Sequence, residues 1–346
     1  MLRRFSSQSG NARIIVITTG GTIVQKFDKD LGGYVPKTSG KELIESISSE
    51  INLETIELIE FAMIDSRAVD LKFLYNLSKL VQQKIDDNFV DGIVIIHGTD
   101  TMEITAYFLH RTINSPKKPV VITGAMRVVT NSDYDGKANI TNAIKQVSYP
   151  ETVLHGHGVS INFAGKIHSP VNVHKEHSFA IDPFSSGSFG LIGMMHTSRI
   201  DWLNNPKKSL VIPLPDKLEK VISVPIIHAF PGACTDLLDG FIQNKYQALI
   251  VVAYGSGNVN NNMYYAIKKA TEHGIRIVLV TNCKYGGVYA EYGGIGGNQS
   301  LRDLGVIMAD DLNPYQAMVV ATLVFHNEKL LDKNELSKYF SNKILD

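Results

Sequence analysis

Two runs of apolar, mostly β-branched residues restrict what this chain can fold into. Ile14-Ile15-Val16-Ile17 passes into Thr18-Thr19-Gly20-Gly21-Thr22-Ile23, and Ile93-Val94-Ile95-Ile96 passes into His97-Gly98-Thr99-Asp100-Thr101-Met102-Glu103. Neither run alternates with polar residues. A strand that is apolar on both faces must be covered on both, which is the condition of a parallel sheet between two helix layers. Each run stops at glycine and then presents a threonine. Thr22 and Thr99 are therefore expected where the carboxyl end of a strand opens into a loop, the edge along which open α/β sheets bind ligands.

The first half of the chain keeps the rhythm that such a sheet needs. Residues 55–64, 119–123 and 159–163 read as strands. Leu71, Leu74, Leu77, Val81 and Ile85 recur at helical spacing, and helices are expected over 101–111 and 137–147. Residues 164–200, rich in Gly, Ser and His, break the rhythm. Residues 201–220 carry Pro206, Pro213 and Pro215 and read as a linker. A second set follows, with strands over 221–229, 249–253 and 276–281 and helices over 262–271, 316–325 and 334–340. Residues 286–297 are Gly-rich and read as a flexible loop. The expected organisation is a disordered stretch 1–11, an α/β domain 12–200, a linker 201–220 and a smaller α/β domain 221–346. The length of 346 residues suits two domains at roughly 150 residues each.

Charge excludes several classes of partner. Lys and Arg number 34 and so do Asp and Glu, and like charges cluster no further than adjacent pairs such as the lysines at 117–118, 207–208 and 268–269. Neither nucleic acid nor an anionic membrane is indicated. The longest apolar run, 317–325, is too short to span a bilayer. Cys234 and Cys283 are the only cysteines, which suits a reducing compartment. The first ten residues lack the apolar stretch of a secretory signal, so a cytoplasmic location is expected. His155, His157, His168, His174 and His177 crowd one region. His174-Lys175-Glu176-His177 lacks the spacing of a His-Glu-x-x-His zinc site, so these histidines are expected on loops or at the surface.

The two glycine-threonine segments each admit a structural and a chemical reading. Gly20-Gly21-Thr22 serves as a tight strand-to-helix turn or as a loop whose amides face a ligand; the Lys-Ser/Thr of a phosphate-binding loop is missing. Asp100-x-x-Glu103 has the spacing of a helix cap. It also sets a carboxylate beside the Thr99 hydroxyl, a weak nucleophile that needs a base from elsewhere in the chain. Gly255-Ser256-Gly257-Asn258 follows a strand as a second loop at a sheet's carboxyl edge.

Taken in order, these segments resemble the bacterial-type L-asparaginases, and the cytoplasmic type I branch more than the periplasmic one. The resemblance runs from about residue 12 to about residue 326. It rests on Thr19-Gly20-Gly21-Thr22-Ile23 and on His97-Gly98-Thr99-Asp100-Thr101-Met102-Glu103. Gly33-Tyr34-Val35-Pro36, Thr123-Gly124-Ala125-Met126-Arg127, Ser132-Asp133-Tyr134-Asp135-Gly136, Pro231-Gly232 and Tyr254-Gly255-Ser256-Gly257-Asn258 support it. It implies a larger N-terminal α/β domain with a flavodoxin-like parallel sheet, a smaller C-terminal α/β domain, and a homodimer or homotetramer. It further implies hydrolysis of a small amino-acid amide through a covalent acyl-enzyme, with no metal or organic cofactor.

Residue by residue, the resemblance makes Thr22 the nucleophile and Tyr34 the loop tyrosine that assists it. Thr99, Asp100 and Lys175 form a second cluster, in which Lys175 sheds or shares a proton to assist Thr99 or a water. Ser66, Gly98, Asp100, Ala125 and Asn258 are the implied substrate contacts, with Asn258 and an acidic group supplied by a partner subunit; Glu291 is the candidate for that acid, and Arg67 is a further candidate contact outside the family pattern. One departure stands out. The family usually carries Ser-Gln or Ser-Ser where this chain has Ser66-Arg67. Turned outward, Arg67 is a solvated cation. Turned inward, it adds five donors beside the substrate carboxylate and changes which amide is accepted.

Overall fold

The computed structural model describes residues 13–342, apart from 31, 37, 52–54, 115–117, 150–151, 153–157, 207, 216–222, 234, 328–329 and 331–332. The stretch 1–11 and residues His155, His157 and Cys234 lie outside the described residues. The chain divides into two compact units, 1–207 and 208–346.

In chain order the first unit comprises β1 (Arg13–Gly20), β2 (Gln25–Asp28), β3 (Gly33–Pro36), α1 (Gly40–Glu45), β4 (Ile56–Ile64), α2 (Leu71–Ile85), β5 (Val90–Ile96), α3 (Met102–Thr112), β6 (Val120–Thr123), α4 (Gly136–Ser148) and β7 (Val159–Phe163). The short strands β8 (Lys166–His168), β9 (His174–Lys175), β10 (Phe184–Ser185), β11 (Gly193–Met195) and β12 (Ile200–Trp202) follow. Eight strands form one sheet in the order β12-β11-β8-β7-β6-β5-β1-β4. The five from β7 to β4 are parallel, in the flavodoxin-like order 2-1-3-4-5. From β1 the chain moves to β4 on one side and then to β5 on the other, so the topological switch lies between β1 and β5.

The unbroken apolar runs follow from this architecture. Ile15, Ile17, Ile93 and Ile95 face Leu77 and Val81 of α2 and Ala106 and Leu109 of α3. Ile14, Val16, Val94 and Ile96 face Leu43 of α1 and Ile140, Ala143 and Ile144 of α4. Successive residues of a strand point to opposite faces, and both faces here are roofed. Where the expected rhythm fails, in 164–200, the sheet continues differently: β8, β11 and β12 extend it antiparallel. Three-residue strands joined by turns leave no apolar periodicity to read. The hairpin β2–β3 and helix α1 were also invisible to that periodicity.

The second unit comprises β13 (Ile226–His228), α5 (Asp236–Gln243), β14 (Ala248–Ala253), α6 (Asn261–Glu272), β15 (Arg276–Thr281), α7 (Asn298–Asp303), β16 (Ile307–Met308), α8 (Pro314–Phe325) and α9 (Lys333–Tyr339). Its sheet, β13-β14-β15-β16, is parallel throughout. The segment 286–297 is tied down rather than loose. Asn298, fully buried, accepts the N–H groups of Glu291 and Tyr292, each at 2.8 Å, and donates to the Ser256 carbonyl at 3.0 Å. Among the described residues no helix is long and apolar enough to cross a membrane.

Candidate active site

Three neighbouring parallel strands deliver their carboxyl ends to one place. After β1, Gly20 and Gly21 adopt φ of +108° and +86°, a region closed to most side chains. A Cβ on Gly21 would lie 2.4 Å from Gly98 Cα, and one on Gly98 would lie 2.7 Å from Ser66 Oγ. Glycine at both positions lets the loops after β1 and β5 touch backbone to backbone and lets the Ser66 side chain after β4 close on Gly98. Thr22 follows at once, half-buried, and opens a short 3-10 turn, Thr22–Val24. Ser66 starts another, Ser66–Ala68, after β4. Its hydroxyl accepts the Asp100 N–H at 3.3 Å, and its carbonyl accepts the Thr101 hydroxyl at 2.9 Å.

The second cluster is assembled by Lys175. Its Nζ donates to Thr99 Oγ1 at 2.9 Å and to Asp100 Oδ1 at 2.6 Å. The lysine side chain is 14% exposed while that of Asp100 is 64% exposed, so the pair stands at the mouth of the site. Asp100 is not a helix cap. Thr101 occupies the N-cap of α3 and makes no side-chain cap bond. The carboxylate with capping spacing bonds the lysine instead. The site is polar and mixed: one lysine nitrogen meets a carboxyl oxygen on one side and a hydroxyl on the other.

The other candidates stand as follows. Tyr34 lies on β3, which packs against the Thr22–Val24 turn. It is half exposed, and its ring meets Phe27 edge to face. Ala125 is buried beyond β6, in a loop held by Asp135, whose carboxylate accepts the N–H groups of Met126 and Arg127. Arg67 takes the outward of its two orientations. Its side chain is 80% exposed, and its Nε lies 3.7 Å from Asp65 Oδ2. Asn258 and Glu291 belong to the second unit, where Asn258 Oδ1 accepts the Asn298 N–H at 3.2 Å. The first unit thus brings together Thr22, Ser66, Gly98, Thr99, Asp100 and Lys175, and Asn298 links the two candidates of the second.

Sequence reasoning missed three supporting residues. His97 is buried, and burial pushes its imidazole down to about 4. Its Nδ1 lies 2.7 Å from the Gly98 carbonyl, which only accepts, so the proton sits on Nδ1 and Nε2 accepts from Thr105 at 3.1 Å. Glu103 accepts the Lys175 N–H at 2.8 Å. Asn298 is the third. His97 and Glu103 flank the Thr99-Asp100 pair in the motif; nothing in the sequence marks Asn298. Among the described residues, no group of three or more His, Cys, Asp or Glu is placed to hold a metal ion.

Residues 13–208 match the family model for the N-terminal domain of asparaginase, and residues 223–340 match that for the glutaminase/asparaginase C-terminal domain. The chain belongs to the asparaginase family. It is 29% identical over 334 residues to a probable periplasmic L-asparaginase of Haemophilus influenzae, covering 95% of this chain and 92% of that one. It is 25% identical over 335 residues to a glutaminase-asparaginase of Pseudomonas fluorescens, covering 95% of this chain and 90% of that one. A crystal structure of a probable cytoplasmic L-asparaginase from Campylobacter jejuni matches with a TM-score of 0.84 at 30% identity, covering 95% of this chain and 99% of that one. This member of the family is an asparaginase-like amidohydrolase acting on asparagine-like substrates.

Proposed function

We propose that this amidohydrolase converts L-asparagine, or a close small amide, to the free carboxylate and ammonia through an acyl-enzyme on Thr22. The Thr22 hydroxyl oxygen attacks the amide carbon and gives up its proton, and the carbon–nitrogen bond breaks as the amide nitrogen takes up a proton and leaves as ammonia. Water then attacks the ester and frees Thr22. Tyr34 assists the first step. Backbone N–H groups beside Thr99 hold the negative oxygen of each tetrahedral intermediate. Lys175, shared between Thr99 and Asp100, carries the proton taken from Thr99 or from the attacking water. Ser66 and Asp100 take the substrate's carboxylate and amine. Asn258 and Glu291 complete the site from a second copy in a cytoplasmic homodimer or homotetramer.

The observation that carries this reading is the Lys175 bond to both Thr99 and Asp100, supported by the close approach of Gly21, which precedes Thr22, to Gly98, which precedes Thr99. A protein that only bound an amino acid would not need a lysine buried against a hydroxyl. Arg67, turned to solvent one residue from Ser66, is left outside the substrate contacts. The test is ammonia release from L-asparagine, D-asparagine, L-glutamine and a lactam, by wild type and by Thr22→Ala. Release by wild type and a loss of at least about 10³-fold in Thr22→Ala are expected. No release from any amide would favour an amino-acid sensor, and release untouched by Thr22→Ala would remove Thr22 as nucleophile.

A further inference from the structure

Strand β9 has two residues, His174 and Lys175, and among the described residues it pairs only with β10, Lys175 lying opposite Phe184. Buried Val173 and Phe184 anchor it to the core. Apolar burial sets the depth of a segment but has no direction. An edge strand also leaves backbone N–H groups facing away from its partner, and each needs an acceptor. For Lys175 that acceptor is a side chain, Glu103 Oε2, at 2.8 Å. The Glu103 side chain is 12% exposed, and its two oxygens each lie 3.1 Å from His174 Nδ1.

Glu103 stands in the first turn of α3, three residues beyond Asp100. The segment Thr99–Glu103 therefore holds one lysine at both ends: Thr99 and Asp100 take its ammonium, and Glu103 takes its main-chain N–H. We propose that Glu103 is a positioning residue for the amide hydrolysis, fixing the Lys175 backbone so that Nζ reaches Thr99 and Asp100 together. The inference rests on the role given to Lys175 above. A lysine stem has four rotatable bonds, so a main-chain shift moves the ammonium away from one partner or the other. A misplacement of about 1 Å lowers catalysis by up to roughly 10²-fold. The hydrogen bond supplies the directional restraint that Val173 and Phe184 do not.

The test compares kcat, KM and the pH profile of kcat in the full chain for wild type, Glu103→Ala, Glu103→Gln and Lys175→Met, with thermal unfolding as the check on folding. Glu103→Ala is expected to lower kcat by about 10- to 100-fold with KM within about threefold, and to displace the pH profile. Glu103→Gln retains an acceptor oxygen and should recover kcat to within about threefold of wild type. A folded Glu103→Ala with wild-type kcat and pH profile overturns the proposal. So does a Glu103→Gln as impaired as Glu103→Ala, since charge rather than the bond would then matter. If Glu103→Ala does not fold, Glu103→Met, similar in length and without a strong acceptor, replaces it with the same expectation. Wild-type kcat in Lys175→Met defeats the role of Lys175 itself, whereas an inactive Lys175→Met beside an unimpaired Glu103→Ala defeats the Glu103 inference alone.

Discussion

Replacing Gly21 with alanine tests the backbone contact on which the site is built. An alanine Cβ there would lie 2.4 Å from Gly98 Cα, 2.6 Å from Gly98 N and 3.1 Å from the His97 carbonyl carbon. Carbon pairs are comfortable at about 3.5–4.0 Å, so the overlap exceeds an ångström. All three atoms are backbone and none can rotate away. The φ of +86° adds about 1–2 kcal/mol of strain for an L side chain, and the overpacking adds about 1–3 kcal/mol. The sum is about 2–5 kcal/mol. The only tryptophan, Trp202, lies in β12 of the same unit, so its fluorescence during urea unfolding reports that unit. Gly165→Ala is the control: its φ is +75° and a Cβ there meets nothing within 4 Å, leaving strain alone. Gly21→Ala should exceed Gly165→Ala by at least about 1 kcal/mol. It should also lower ammonia release, because relief of the clash separates Thr22 from Thr99. Equal destabilisation by the two variants, or full activity in Gly21→Ala, would refute the close approach.

Acid should weaken the first unit before its ordinary carboxylates titrate. Burial lowers the imidazoles of His97 and His168 to about 4 and that of His110 to about 3. Each unfolded histidine takes its proton near 6.5, so the unfolded state binds more protons between those values. The stabilisation is present above about pH 6.5 and is lost as pH falls toward 4, and a flat Trp202 unfolding midpoint across that window would contradict it. Asn298→Ala strands the N–H groups of Glu291 and Tyr292, a loss of about 2–4 kcal/mol. Chymotrypsin should then cut at Tyr289 and Tyr292, which are exposed; unchanged resistance would show that Asn298 does not pin the loop. Arg67→Gln is expected to leave the substrate profile unchanged, because Arg67 faces solvent, and a shift of kcat/KM toward L-asparagine would show that Arg67 turns inward over the substrate.

The sheet was legible because both of its faces are buried, so whole runs such as Ile14–Ile17 carry the signal residue by residue. The segment after Phe163 was not, because three-residue strands such as β8 and β11 are set by their neighbours rather than by any repeat of their own. The two threonines were legible at the strand ends. Their partner was not legible from spacing: Lys175 lies 76 residues from Thr99, and only the resemblance to a family pointed to it. Capping spacing misled at Asp100, where a tertiary partner outcompetes the local backbone. Asn298 was unreadable because an asparagine whose side chain bonds Ser256, Tyr289, Glu291 and Tyr292 together looks in sequence like any polar residue at a helix start.

The separation of 75 positions from Asp100 to Lys175 also sets an order of events. When Asp100 leaves the ribosome, β1, β4 and β5 are already made, and β1 and β5 are apolar, β-branched runs that are buried in the folded unit. The antiparallel strands that follow β7, and the lysine that closes the cluster, have still to be synthesised. Parallel pairing over such separations is slow. The nascent chain therefore spends its most hazardous interval with the isoleucine-rich strands of the catalytic edge uncovered. The same strands that align the threonines make this protein dependent on prompt completion, and truncation before residue 175 should leave insoluble chain rather than a weak enzyme.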